Sequence, residues 1–123
     1  ESVKELMQSV AATGRIAVSF DLSGIEELEV NHEMHITIYR IIQEQLTNII
    51  KHAEASEVKL MLDFIDHYLF LSVVDNGRGF SLSEQKSGMG ITNMITRAES
   101  LHGTVSIDTA PGRGCTLEAR LPL

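Results

Sequence analysis

The pattern of apolar and polar positions divides the chain into segments with helical spacing and segments with strand alternation. Apolar residues three or four positions apart indicate an amphipathic helix, and apolar residues at every second position indicate a half-buried strand. The pattern predicts helices over residues 2–12, 32–53 and 91–101. It predicts strands over residues 15–21, 57–64, 68–75, 105–109 and 115–121.

The order of these elements predicts an α+β fold of the two-layer α/β sandwich type. We expect a mixed sheet of five strands with three helices on one face, since helices and strands do not alternate regularly. The other face should stay in water, because it would carry Glu57, Lys59, Asp63, Glu118 and Arg120. The strand at 68–75 is apolar on both faces and is expected to be central. We treat residues 1–123 as a single domain, because the length suits one core.

The helical segment at residues 39–53, YRIIQEQLTNIIKHA, carries two stripes of side chains. Together with the preceding residue, its apolar stripe consists of Ile38, Ile42, Leu46, Ile49 and Ala53. Its polar stripe consists of Glu44, Asn48, Lys51 and His52. Burying such groups without partners is costly. The polar stripe is therefore either a solvated face, as in any amphipathic helix, or a face turned toward a charged ligand.

The ligand interpretation gives each of these polar side chains a chemical role. Asn48 offers an oxygen to a hard cation such as Mg²⁺, and Lys51 offers a point charge to phosphate. Glu44 offers a base for a water or a hydroxyl group.

Two glycine-containing segments follow in positions that suit a nucleotide. Asp75 ends an apolar strand before Gly77 and Gly79, so its carboxylate could accept a hydrogen bond from an exocyclic amine such as that of adenine. The same residues also suit a plain β-turn. Gly88-Met89-Gly90 directly precedes a predicted helix, where unpaired amides favour an anion. Neither the P-loop pattern nor the Rossmann glycine pattern is present in the sequence.

Composition narrows the classes of partner. The net charge is −7 and the sequence has no basic cluster, which argues against nucleic acid as a partner. The single cysteine, Cys115, excludes an internal disulfide framework and fits a reducing compartment. No apolar run approaches the roughly 20 residues that span a bilayer.

The order of four motifs resembles the ATP-binding catalytic domain of sensor histidine kinases. The motifs are EQLTNIIKHA, DNGRGF, GMGITNMITRAESLHG and PGRGCTLEARLPL. The wider group, with its Bergerat-type fold, includes type II topoisomerases, heat-shock chaperones and mismatch-repair ATPases. The likeness is strongest to the kinases that pair with LuxR-type response regulators, and it runs from about Gly14 to the C-terminus.

The resemblance implies ATP and Mg²⁺ as ligands and assigns roles to matching positions. Asn48 resembles the Mg²⁺ ligand, and Glu44 the residue that orients or activates the attacking group. Lys51 and His52 match the pair at the phosphates and beside the adenine, and Asp75 resembles the adenine-reading aspartate. The glycines have two implied roles. Gly77 and Gly79 would form the turn under the base. Gly88, Met89 and Gly90 would offer the phosphate-binding backbone amides. Residues 81–87 would be a mobile ATP lid.

Cys115 departs from the threonine that the family carries at this position. Its alternation with Leu117, Ala119 and Leu121 predicts an inward side chain, so it is included among the nucleotide-binding residues. A thiol is a weaker hydrogen-bonding group than a hydroxyl, so some loss of affinity is expected.

The resemblance also implies partners that the sequence does not contain. No phosphoacceptor histidine segment is present, so we expect a helical dimerisation and phosphoacceptor domain before residue 1. The parent is then expected to be a homodimer acting on a response regulator, and the isolated domain a monomer. The location implied is cytoplasmic, with membrane anchoring of the parent left open.

Three alternative interpretations remain at the level of sequence. An ATPase module of the topoisomerase or chaperone type would use Glu44 to activate water, although such domains usually carry longer lids and inserts. An anti-sigma-factor serine kinase is a second alternative. A degenerate domain that holds ATP as a structural ligand is the third.

Overall fold

A computed structural model describes residues 2–81 and 90–123 of the chain. Its helices are α1 (Val3–Ala11), α2 (His32–Asn48) and α3 (Ile91–Glu99), with a short 3₁₀ turn at Ser23–Ile25. Its strands are β1 (Ala17–Asp21), β2 (Glu57–Ile65), β3 (Tyr68–Asp75), β4 (Thr104–Thr109) and β5 (Cys115–Pro122). The predicted α+β class, with a mixed five-stranded sheet and three helices, is therefore confirmed.

The strands form one sheet in the order β1-β2-β3-β5-β4. β1 runs parallel to β2, and the other neighbouring pairs are antiparallel. The prediction that β3 is central is correct. Asp75 at the end of β3 therefore faces Cys115 at the start of β5 across the ladder.

The polar pair Asp66-His67, between two alternating segments, predicts a tight turn, and the structure has this turn between β2 and β3. Asp66 and His67 both have positive φ, +52° and +66°, as a two-residue hairpin turn of the right-handed twist requires. This turn fixes the register in which Val58 faces Asp75 at the other end of the hairpin.

The core lies between one face of the sheet and the helices. Alternate residues of β2, β3 and β5 are buried there against the apolar sides of α2 and α3. The opposite face is open, and the charged side chains predicted for it are exposed except Asp63, which is half-buried. The alternation of Ile16, Val18 and Phe20 predicts that Phe20 points inward, but Phe20 is 36% exposed. β1 is an edge strand, so only its β2 side is covered.

The segment predicted as one helix from residue 32 to residue 53 has two parts. Asn31 caps its start by accepting a hydrogen bond from the Met34 amide at 2.8 Å, and α-helical geometry ends at Asn48. Ile49–Ala53 then form a wider π-helical turn, and Glu54 leaves it in the left-handed conformation. A π turn changes the direction in which the following side chains point. Lys51 lies in this turn, beyond the regular α-helical spacing that relates Glu44 to Asn48.

No helix in residues 2–81 and 90–123 is both long and apolar enough to cross a membrane.

Candidate nucleotide-binding site

A cavity of about 350 Å³ opens between the end of α2, the end of β3 and the start of β5. Five of the predicted site residues line it, namely Asn48, His52, Asp75, Gly79 and Cys115. Its other lining residues are Gln45, Ile49, Ala53, Arg78, Phe80, Ser81 and Pro111. The structure thus brings the helix-borne motif, the aspartate turn and the last motif to one place.

Asp75 is the most unusual group in this cavity. Its side chain is only 4% exposed. One carboxylate oxygen, Oδ1, accepts a hydrogen bond from the Gly77 amide at 2.8 Å, while Oδ2 is buried and has no hydrogen-bond partner among the described residues. Desolvation raises the pKa of Asp75, and the Gly77 hydrogen bond opposes that rise. A buried carboxylate oxygen without a partner is costly, and a donor from a ligand would remove that cost.

The turn after Asp75 is fixed by its own contacts. Asn76 Oδ1 accepts hydrogen bonds from the Ser56 and Glu57 amides, each at 2.9 Å. A Cβ atom on Gly77 would lie 2.7 Å from the Ala53 Cβ, so a side chain does not fit there.

Arg78 in this turn is a site residue that sequence reasoning missed. Its amide donates to the Ala53 carbonyl and its Nε to the His52 carbonyl, both at 2.7 Å. These bonds satisfy carbonyls at the end of the π turn and join the two motifs. A contact of 3.8 Å between Arg78 Nη1 and Glu54 Oε1 is exposed and adds little. The only signal in the sequence was a long polar side chain between two glycines.

A row of buried polar side chains continues from Asp75 along the cavity wall. Cys115 is 5% exposed and points inward as predicted. Gln45 Nε2 lies 3.6 Å from Cys115 Sγ, and Asn48 Nδ2 lies 3.5 Å from Gln45 Oε1. Burial, with a smaller contribution from the charge of Asp75, raises the pKa of the Cys115 thiol to about 11. The thiol is therefore protonated at neutral pH.

Glu44 lies outside this row, at the start of α3. Its carboxylate occupies the space that a Cβ atom on Gly90 would need. Gly90 has φ +63° and is the residue that caps α3. Glu44 is half-buried, and it is not among the residues that line the cavity.

The remaining predicted site residues have different positions. Lys51 and His52 are both exposed, and only His52 lines the cavity. Gly77 supports Asp75 without lining the cavity. Gly88 and Met89 lie outside the described residues. Within residues 2–81 and 90–123 there is no group of three or more His, Cys, Asp or Glu side chains that could hold a metal ion.

Residues 33–123 match the family described as histidine kinase-, DNA gyrase B- and HSP90-like ATPase. The chain belongs to this family. The predicted resemblance to an ATP-binding domain of this group is thus confirmed, and the arrangement of Asn48, Asp75 and the glycine turn lies within the matched region.

Three histidine kinases of Bacillus subtilis (strain 168) are among the relatives that align with nearly the whole chain. Sensor histidine kinase LiaS is 29% identical, with 100% of this chain and 34% of the relative aligned. Sensor histidine kinase YxjM is 32% identical, with 99% of this chain and 30% of the relative aligned. Signal transduction histidine-protein kinase/phosphatase DegS is 28% identical, with 98% and 32% aligned. The chain therefore spans about a third of the length of these relatives.

Solved structures show the same fold. The histidine kinase domain of the Erythrobacter litoralis EL346 blue-light activated histidine kinase has a TM-score of 0.80 at 22% identity. This match covers 97% of the present chain and 57% of the solved one. The Acinetobacter baumannii histidine kinase AdeS has a TM-score of 0.72 at 13% identity, covering 96% and 59%.

Proposed function

We propose that this chain is the ATP- and Mg²⁺-binding catalytic domain of a sensor histidine kinase in a two-component system. It would present the γ-phosphoryl group of ATP for in-line transfer to a histidine on a separate helical domain. The observation that carries the proposal is the buried Asp75 carboxylate in the cavity wall. One of its oxygens accepts a hydrogen bond from Gly77, and the other has no partner in the part of the chain that the structure describes. That free oxygen suits the exocyclic amine of adenine.

The positions of the other side chains support this orientation of the nucleotide. Asn48 lines the cavity one helical turn from Glu44, on the side from which the phosphates would extend. His52 is exposed, lines the cavity and would lie beside the base, and the exposed Lys51 would interact with the phosphates. Gly88, Met89 and the cap residue Gly90 would offer backbone amides to the phosphates.

The residues present fit Mg²⁺ bound through the nucleotide. Mg²⁺ prefers few protein ligands together with phosphate oxygens and water, so one amide oxygen from Asn48 is an adequate protein contribution. When bound, the ion neutralises charge on the phosphates during transfer. Asn48 would hold the metal, and Glu44 would orient or deprotonate the incoming imidazole.

The proposal includes partners beyond the chain. A helical dimerisation and phosphoacceptor domain would supply the histidine and make the parent a homodimer, while the isolated domain would be a monomer. A response regulator, of LuxR type on the sequence resemblance, would receive the phosphoryl group. We place the domain in the cytoplasm, whether or not the parent is anchored in a membrane.

The test is to incubate the chain with labelled ATP, with and without the helical domain of its parent. A kinase domain should turn over ATP only at a trace rate by itself. With the helical domain it should form a phosphohistidine, which is labile in acid and stable in alkali. Rapid hydrolysis by the chain alone, with no phosphohistidine in the mixture, would instead favour an ATPase module.

A further inference from the structure

Gln45 lines the cavity, but the proposed function gives its side chain no role. Its side chain is polar and only 3% exposed, and it lines the same cavity as Asp75 and Asn48. A carboxamide has two N–H donors and an oxygen with two lone pairs. Within residues 2–81 and 90–123 it makes two polar contacts, at 3.5 Å and 3.6 Å, and one of them is to sulfur, a weak acceptor. Gln45 therefore has hydrogen-bonding capacity left for a ligand.

The neighbours of Gln45 fix which end of the carboxamide faces the base. Asn48 Nδ2 approaches the Gln45 oxygen, so this oxygen is directed toward Asn48, the proposed Mg²⁺ ligand. The Gln45 nitrogen is directed toward Cys115, whose strand position is directly opposite Asp75. Residues opposite each other in an antiparallel ladder have Cβ atoms about 5 Å apart. The donor of Gln45 and the acceptor of Asp75 thus lie at the same end of the cavity.

A carboxylate alone distinguishes purines poorly. An ionised aspartate is only an acceptor, so Asp75 could accept from the adenine amine or from the N–H groups of guanine. Adenine presents an acceptor, the ring nitrogen N1, beside its amine at C6, whereas guanine has a carbonyl oxygen at C6 and an N–H at N1. A donor beside Asp75 would complement that pair of groups, whereas guanine would present an N–H to the same donor.

We propose that Gln45 is a specificity-determining residue, which donates a hydrogen bond from Nε2 to ring nitrogen N1 of adenine while Asp75 accepts from the exocyclic amine. The inference rests on the proposed function, because it concerns the base of the same nucleotide. Cys115 holds the second N–H of the Gln45 amide, and Asn48 holds its oxygen. Because a thiol is a weak hydrogen-bonding group, the stronger hydrogen bond to the base would come from Gln45 and not from Cys115.

The experiment measures binding by calorimetry with two nucleotides, ATP and 1-deaza-ATP, in which a C–H group replaces N1. The variant is Gln45→Met, which keeps the size of the side chain and removes its donor. The matched control is Gln43→Met on the same helix, since Gln43 contacts Arg40 and does not line the cavity. Losing one hydrogen bond should weaken ATP binding by roughly 3- to 10-fold. The affinity for 1-deaza-ATP should stay that of the parent, and Gln43→Met should change neither.

Equal weakening of both nucleotides by Gln45→Met would show a packing role and overturn the inference, as would unchanged ATP binding. If Gln45→Met does not fold, the parent alone decides, because equal affinity for ATP and 1-deaza-ATP also overturns the inference. The proposed function is tested separately by the parent's ATP affinity and its loss in Asp75→Asn. If ATP binding by the parent depends on Asp75 but is unchanged in Gln45→Met, only the role of Gln45 is overturned and the proposed function stands.

Discussion

The carboxylate of Glu44 lies against the backbone of Gly90, in the space that a Cβ atom on residue 90 would occupy. Gly90 also has φ +63°, a conformation that residues with a side chain rarely adopt. A negative charge at this position faces the positive end of the α3 dipole, which is favourable. The contact joins α2, the helix that carries Asn48, to the start of α3.

Gly90→Ala should therefore destabilise the fold through two effects, backbone strain and collision with Glu44. We expect a loss of roughly 2–4 kcal/mol in the free energy of unfolding, measured by urea denaturation. Gly14→Ala is the matched control, because Gly14 has φ +74° and nothing within 4 Å of its Cβ position. It should cost only the strain, about 1–2 kcal/mol. Adding Glu44→Ala to Gly90→Ala should recover the collision part. Equal losses in the two glycine variants would exclude a steric role for Glu44.

Asp75→Asn should stabilise the nucleotide-free protein at neutral pH. Burial raises the pKa of Asp75 above 3.8, so the folded state holds its proton more tightly than the unfolded state. The associated stability is fully present below pH 3.8 and is lost as pH rises through the folded pKa. Asparagine does not ionise, so the variant does not lose this stability at neutral pH. The urea midpoint of Asp75→Asn should thus exceed that of the parent at pH 7, and the difference should shrink in acid. A urea midpoint that is lower for Asp75→Asn than for the parent at pH 7 would contradict the raised pKa of Asp75.

The same variant should bind ATP more weakly. Asp75 would thus lower the stability of the nucleotide-free protein and raise its affinity for ATP. A hydrogen bond to a charged group contributes roughly 1.5–3 kcal/mol, which corresponds to about 10- to 100-fold in affinity. GTP should bind poorly to the parent. Calorimetric titration of the parent and the variant measures these differences, and an ATP affinity that is unchanged in Asp75→Asn would overturn the role of Asp75.

Asn48→Ala should remove the part of ATP affinity that depends on Mg²⁺. Asn48 is 6% exposed and supplies the only amide oxygen that we assign to the metal. The measurement is ATP affinity of parent and variant, each with Mg²⁺ and with a chelator. The variant should bind equally under both conditions, and the full kinase carrying it should lose autophosphorylation. If Mg²⁺ raises the ATP affinity of the variant as much as that of the parent, the protein ligand of the metal is another residue.

Local sequence patterns were enough to predict most of the fold. Alternation located β3 and the inward face of β5, and the polar pair Asp66-His67 located the turn between β2 and β3. These signals are local because alternate residues of a strand face opposite sides of the sheet wherever that strand lies. Alternation did not predict the exposure of Phe20, because burial depends on which strand is at the edge of the sheet.

The site was predicted less completely because its geometry depends on residues distant in sequence. Gln45 and Cys115 are 70 positions apart, and Arg78 is 26 positions from the carbonyl that it contacts at His52. Their contacts follow from strand order and from the π turn after Asn48, neither of which has a periodic signal. Asp75 and Asn48 were predictable because their motifs are contiguous in sequence.

The stability of the protein should fall between pH 9 and pH 11 in a way that depends on Cys115. Burial raises the pKa of this thiol from 9.0 to about 11, so the unfolded state loses the proton first. Stability is fully present below pH 9.0 and is lost as pH rises through about 11. Urea denaturation at pH 8 and pH 11 should show a loss roughly 2 kcal/mol larger in the parent than in Cys115→Thr. Parallel pH profiles would mean that the thiol titrates normally.

Glu44→Gln should slow phosphoryl transfer far more than it weakens ATP binding. The variant keeps the size of the side chain beside Gly90 and removes its charge and basicity, so packing at the start of α3 is retained. A general base contributes typically about 100-fold or more to the rate, and it acts in the transition state rather than in ground-state affinity. Phosphohistidine formation on the helical domain and calorimetric ATP affinity are the two measurements. Glu33→Gln, an exposed change on the same helix, should alter neither. If Glu44→Gln keeps the parental transfer rate, the carboxylate serves the start of α3 alone, and the base for the incoming imidazole belongs to another residue.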